Sequence, residues 1–296
     1  MELHWFPLAL ISPAIWAIVV LLDDNLLRKV YKSPFVGTII SGFFALAPLL
    51  SLFFVPVTIP STSILIFSFL AGFLLIASYW FYFKSLEIEA PSVVIALWNL
   101  TPTLVPFLAF LFLGEILQSH QYIGFILILI ASVGISLLNI AHVKLSRAFY
   151  FMITASLLYA VNAVILKYVY SNIDFWSGFI FTSIGMGLGS LFFALGFDRG
   201  RQFLKEIASF KKFIWIFVLS ESLNIAAVFF SNLAISKGPV SLIKVIEGTQ
   251  AMYVLLFAVL LYPIFPKYFR EAAYTGKFKK LALMILMLAG LYFINR

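Results

Sequence analysis

Ten apolar stretches follow one another along this 296-residue chain, and nearly all are long enough for a helix to cross the roughly 30 Å hydrocarbon core of a bilayer. They run from about Trp5 to Leu22, Pro34 to Val55, Ile64 to Phe83, Ser92 to Leu113 and Gln121 to Ile140. A second set follows from Phe149 to Tyr168, Phe175 to Phe197, Phe213 to Ala234, Val240 to Leu261 and Lys280 to Ile294, the last being short. In lipid every backbone N–H and C=O must find its partner within the protein, which leaves helices or closed barrels. The stretches lack the two-residue alternation of barrel strands, so the expected fold is an all-α polytopic membrane protein with ten transmembrane helices.

Composition agrees: hydrophobic residues make up 63% of the chain, charged ones 11%, and mean hydropathy is +1.08. A net charge of +8 would suit nucleic acid, but the Lys and Arg sit in short gaps between apolar runs, so nucleic-acid binding is not expected. With no cysteine there is no disulfide, thiolate metal site or cysteine nucleophile. The start, MELHWFPLAL, has neither a basic region nor a clear cleavage site and reads as an uncleaved first span.

The second five spans echo the first. A shift of 148 residues aligns Phe81 with Phe229, Pro91 with Pro239, Ile95 with Ile243, Thr101 with Thr249 and Leu113 with Leu261. Repeats of five spans, an odd number, enter the membrane from opposite sides, so residues 1–146 and 147–296 are expected to form two inverted five-helix repeats in one integrated membrane domain. The loops after spans one, three, five, seven and nine hold sixteen Lys and Arg; the opposite side holds Lys167, Lys237 and Arg296. By the positive-inside rule the basic side is cytoplasmic and both termini lie outside.

Charges inside the spans mark the expected site, because a charge at membrane depth costs roughly 2.5–3.5 kcal/mol on insertion scales and is kept where it lines a wet cavity or finds a partner. Lys244 and Glu247 stand three apart on the ninth span, spaced to pair, with Ser241, Gly248 and Ala251 on the same stripe and Gln250 beyond. On the eighth span Glu221, Asn224, Val228 and Asn232 share one face. Glu221 has no partner within a turn of its own helix, which makes it the candidate for a coupling proton or a gate; the alternative is a structural hydrogen bond between helices. In the first half the repeat sets Asn99 opposite Glu247 and Pro102 opposite Gln250, with Trp98 as an aromatic wall. Pro102 and Pro106 free carbonyls that a cavity can use, or simply kink the helix. Trp16, Tyr79, Trp80 and Asn162 are weaker candidates. Asp23 and Asp24 end the first helix, and Lys167 ends the sixth. No hydrolase, zinc-protease or phosphate-loop motif occurs, the three His (His4, His120, His142) lie at span ends, and no cofactor or metal is expected.

The segment from Glu89 to Leu138 resembles the EamA branch of the drug/metabolite transporter superfamily through Pro91, Pro102, Gly114, Glu115, Gln121, Gly124 and Gly134. Trp16 followed by Asp23 is similar to a Trp-to-Asp-Lys pattern of that family, with Tyr159 and Lys167 in the corresponding places of the second half. Asp24 stands where the family has Lys, Pro263 stands at the place matching Glu115, and the connection between the last two spans is long and basic. The resemblance implies a ten-helix carrier for small metabolites in the inner or plasma membrane, with a cavity between helices one, three, four, six, eight and nine, and it favours a gate at Asp23. It also implies cytoplasmic termini, against the charge count.

The expectation is therefore a secondary transporter, not an enzyme, moving a small organic metabolite by alternating access through proton coupling or exchange. Substrate and cavity residues are Trp98, Asn99, Glu221, Asn224, Lys244, Glu247 and Gln250; gate or coupling residues are Glu221 and Asp23. Its partners are a small-molecule substrate and membrane lipids, and it can act alone or as a homodimer. A flippase for an amphipathic, lipid-linked substrate, or a non-transporting membrane sensor or scaffold, are the alternatives.

Overall fold

The computed structural model describes residues 4–27, 34–89, 91–137, 146–196, 214–261, 263 and 277–296. Its helices are α1 (Trp5–Leu27), α2 (Pro34–Phe44), the 3-10 helix η1 (Ala47–Phe53), α3 (Thr62–Leu86), α4 (Pro91–Trp98), α5 (Leu100–Leu113) and α6 (Ser119–Leu137). They continue with α7 (Arg147–Asn172), α8 (Phe175–Gly196), α9 (Ile214–Lys237), α10 (Val240–Glu247), α11 (Gln250–Leu261) and α12 (Lys277–Asn295). Among the described residues there is no strand, and eight helical segments are long and apolar enough to cross a membrane. Two shorter apolar helices, Trp5–Val20 and Leu100–Leu113, accompany them.

Three apolar runs that read as continuous are broken. The second passes from α2 into η1, with a turn at Ala45–Leu46. The fourth breaks at Asn99 because Pro102 has no N–H to donate to the carbonyl of Trp98, four residues earlier, and its ring crowds that carbonyl. The ninth breaks at Gly248 and Thr249, where the backbone tightens into bonds three residues back: Gly248 N to Val245 O at 3.0 Å and Thr249 N to Ile246 O at 2.9 Å. The Thr249 hydroxyl also donates to Ile246 O at 2.7 Å, occupying a carbonyl that would otherwise extend the helix.

Similar packing recurs in the N- and C-terminal parts of the chain. α3 lies along α7 as α1 lies along α9, α5 packs on α7 as α11 packs on α1, and α4 meets α7 as α10 meets α1. α6 lies along α12, and α2 along α8. Small residues permit these approaches: a Cβ on Gly72 of α3 would fall 2.1 Å from Thr182 O of α8, and one on Gly124 of α6 would fall 2.6 Å from Gly290 O of α12. Phe53, Phe54, Phe107, Phe112, Leu195 and Tyr292 are exposed, the surface that a lipid environment accepts. α10 is the reverse: every residue from Val240 to Ile246 is buried, which places its one lysine in the middle of the bundle.

Candidate functional site

Lys244 is almost completely buried, with 2% of its side chain exposed. Its ammonium group donates to Glu247 Oε1 at 2.7 Å, to the Tyr159 hydroxyl at 2.8 Å and, more weakly, to Ser231 Oγ at 3.4 Å. Glu247 is served in turn by the Ser231 hydroxyl, which donates to Oε1 at 2.6 Å, and by the Tyr159 hydroxyl, which donates to Oε2 at 3.3 Å. The four side chains close a cycle across α7, α9 and α10. Three acceptors use all three ammonium protons, so nothing on Lys244 is left over for a ligand in this arrangement. The pairing follows from the i, i+3 spacing; Tyr159 and Ser231 are brought in by packing.

Trp98, the last residue of α4, extends this cycle into an aromatic wall. Its ring lies 5.3 Å from that of Tyr159 at 42° and 5.3 Å from that of Tyr82, edge to face. A second polar group forms where α1, α2, α3 and α9 meet. Trp16 Nε1 donates to Asn224 Oδ1 at 2.9 Å, and Ser41 Oγ donates to Glu221 Oε1 at 3.0 Å. Tyr79 of α3 lies within electrostatic reach of both Glu221 and Glu247. Tyr79 thus stands between the two groups.

Glu221 is bonded across helices: α2 supplies Ser41, a residue in no way marked by the spacing on α9. Asn99, expected on the cavity wall opposite Glu247, is committed to α6 instead. It accepts from Ser132 Oγ at 2.7 Å and donates to Ser136 Oγ at 3.0 Å. Ser132 also abuts Gly248, where a Cβ would fall 3.0 Å from its hydroxyl, so the two broken spans meet across one serine of α6. Gln250 opens α11 and is half-buried. Asp23 falls in the last turns of α1, and its side chain, like that of Asp24, lies outside the described residues. Asn162 donates to Ala71 O at 2.8 Å and ties α7 to α3, a packing role.

Tyr159, Ser231 and Ser41 are members of these groups that spacing alone does not single out. Tyr159 had one signal, its place in the second half matching Trp16 in the first. Ser231 and Ser41 had none, since one serine in a membrane helix is unremarkable until its neighbour is known.

The sequence model of the EamA-like transporter family matches residues 3–137, which bears out the resemblance carried by the first half. No curated protein matches the chain. A crystal structure described only as that of a protein superposes with a TM-score of 0.69 at 15% identity, covering 98% of this chain and 95% of the other. At that identity the likeness is one of fold. Together with the eight apolar helices of membrane-crossing length, these findings describe a multi-pass membrane protein whose first half is EamA-like.

Proposed function

We propose that the protein is a secondary carrier of a small organic metabolite, built from ten membrane segments in two inverted five-segment halves, with the substrate handled beside the cycle of Lys244, Glu247, Tyr159 and Ser231. The observation that carries this reading is the ion pair itself. A salt bridge 2.7 Å long at 2% and 10% exposure, on a helix that breaks one residue later, sits in a chain whose first half matches a transporter family. Buried charges of this kind are retained at a cost, and in membrane proteins they mark substrate and ion paths. The repeated packing of α3 on α7 and α1 on α9, and breaks within two residues of the same repeat position, support the inverted halves.

With all three protons of Lys244 engaged, an anionic group reaches it only by displacing Glu247, Tyr159 or the more weakly held Ser231, so substrate entry remodels the cycle. Glu221, on a separate helix from the ion pair and bonded by Ser41 of α2, is the residue assigned to proton coupling. The basic face is assigned to the cytoplasm; single cysteines at Arg199 and Arg296, probed with an impermeant thiol reagent in intact cells, should react only at Arg296. The functional test is flux in liposomes containing purified protein and no ATP, against metabolites selected by thermal shift. Gradient-driven accumulation should disappear in Glu221→Gln while exchange persists. A requirement for ATP hydrolysis would overturn the carrier reading, and undiminished accumulation in the variant would remove Glu221 from the coupling path.

A further inference from the structure

The corner between α9 and α10 is held by side chains from elsewhere in the fold. Pro239 has no N–H and therefore cannot donate to Ile235 O, and at the start of α10 it offers no side-chain acceptor to the first amides. Both deficits are filled from outside. Lys167 Nζ of α7 donates to Ile235 O at 3.1 Å. The Glu115 carboxylate accepts the N–H of Val240 at Oε2 and that of Ser241 at Oε1, each at 2.9 Å. The cation thus meets the carbonyl end of one helix and the carboxylate the amide end of the next, the sign that each helix dipole favours. Trp5 lies over the turn, where a Cβ on Gly238 would fall 2.4 Å from its ring.

Glu115 is itself aimed by a local device. Gly114 takes a left-handed φ of 65° at the end of α5, with Gly114 N donating to Phe110 O at 3.1 Å and Glu115 N to Ala109 O at 3.2 Å. Those two bonds end α5 and turn the next residue across to the second half. Glu115 and Lys167 line one cavity of about 430 Å³ at this end of the bundle.

We propose that Glu115 and Lys167 are positioning residues that form a clamp on one face only, holding the first turn of α10, and with it Lys244 and Glu247, against the first half of the chain. The sequence supplies the one-sidedness. At the 148-residue shift the place of Glu115 is taken by Pro263, which has no acceptor side chain; in the register that sets Tyr159 on Trp16, a shift of 143 residues, the place of Lys167 is taken by Asp24, of the wrong sign for helix carbonyls. The equivalent corner ahead of Pro91 therefore lacks the chemistry of the clamp, and that face is the one that opens first. The inference rests on the carrier reading for its meaning, since a clamp matters in a molecule that alternates between faces.

The chain has no cysteine, so the test is direct. Ser241 is 1% exposed and Ser85, at the other face, is fully buried. Ser241→Cys and Ser85→Cys are reacted separately with a small thiol reagent, in purified protein with no substrate, with and without Glu115→Gln. The glutamine oxygen replaces only one of two carboxylate acceptors, so labelling at 241 should rise by about tenfold while labelling at 85 stays level or falls. An unchanged rate at 241, or an equal rise at both positions, overturns the clamp. A second variant, Glu115→Lys with Lys167→Glu, keeps one charge of each sign but reverses both dipole contacts; it should leave 241 reactive, and a return to the slow rate would overturn the dipole argument. Because no substrate is used, failure here leaves the carrier reading standing.

Discussion

The two broken spans, α4–α5 and α10–α11, are alike in form and are put to different use. In α4–α5 the break comes from a proline, and its polar residue, Asn99, spends its amide on two serines of α6. In α10–α11 the break comes from short-range turns at Gly248 and Thr249, and it directly follows a buried ion pair bound to α7 and α9. A helix break in a membrane makes polarity available. What is then made of it depends on the facing helices: neutral serines give a fixed joint, whereas a tyrosine and a serine that can each bond to both charges give a group able to change partners. The first arrangement contributes stability; the second is costly and calls for a functional explanation.

This contrast predicts unequal mutational costs. Lys244→Met strands the Glu247 carboxylate among buried groups and should lower stability by about 3–5 kcal/mol, read as thermal or denaturant unfolding in detergent. Lys244→Met combined with Glu247→Leu should recover most of that loss, because no charge is left unpaired. If the double variant were as unstable as the single, packing rather than charge would dominate the site. Asn99→Leu removes two hydrogen bonds between neutral groups, of the kind that average about 0.6 kcal/mol each in membrane helices, and should cost about 1 kcal/mol. An Asn99 effect as large as that of Lys244 would abolish the distinction between joint and site.

Much of this was legible in the residues and part was not, for reasons that differ by position. The helices follow from runs of apolar residues, since lipid leaves the backbone no other way to satisfy itself. The breaks inside two of those runs escape hydropathy, which scores side chains and ignores backbone bonds. Pro102 was a visible cause of the first break; Gly248 and Thr249 are a weak signal, for both occur in intact helices. The Lys244–Glu247 pair could be anticipated because it is local, three residues apart on one helix. Tyr159, Ser231 and Ser41 are contributed by other helices, and the commitment of Asn99 to α6 likewise depends on which face meets Ser132. Glu115 stood out only as a matched family feature; its bonds to Val240 and Ser241 span more than a hundred residues and follow from packing alone.

The smallest expected effect lies outside both broken spans, at Asp174 between α7 and α8. Its carboxylate accepts from Ser177 N at 3.0 Å and from the Thr58 hydroxyl at 2.9 Å. Partial burial pushes this carboxyl up, but the donors from Ser177 and Thr58 outweigh burial and hold it below the ordinary value of 3.8. A carboxyl lowered on folding stabilises the protein fully above the unfolded pKa, and that contribution is lost as pH falls through the folded one. Asp174→Asn keeps an amide oxygen for the start of α8 while removing the titration, so it should cost only about 0.5 kcal/mol at neutral pH, a cap residue replaced by one of nearly equal rank. It should also flatten the fall in melting temperature between pH 5 and pH 3. An acid-induced fall equal to the parent's would mean that Asp174 contributes nothing through its charge. The same variant tests the independence of the spans: combined with Lys244→Met or Asn99→Leu its effect should add within about 0.5 kcal/mol, and a larger departure would couple this corner to one break and not the other.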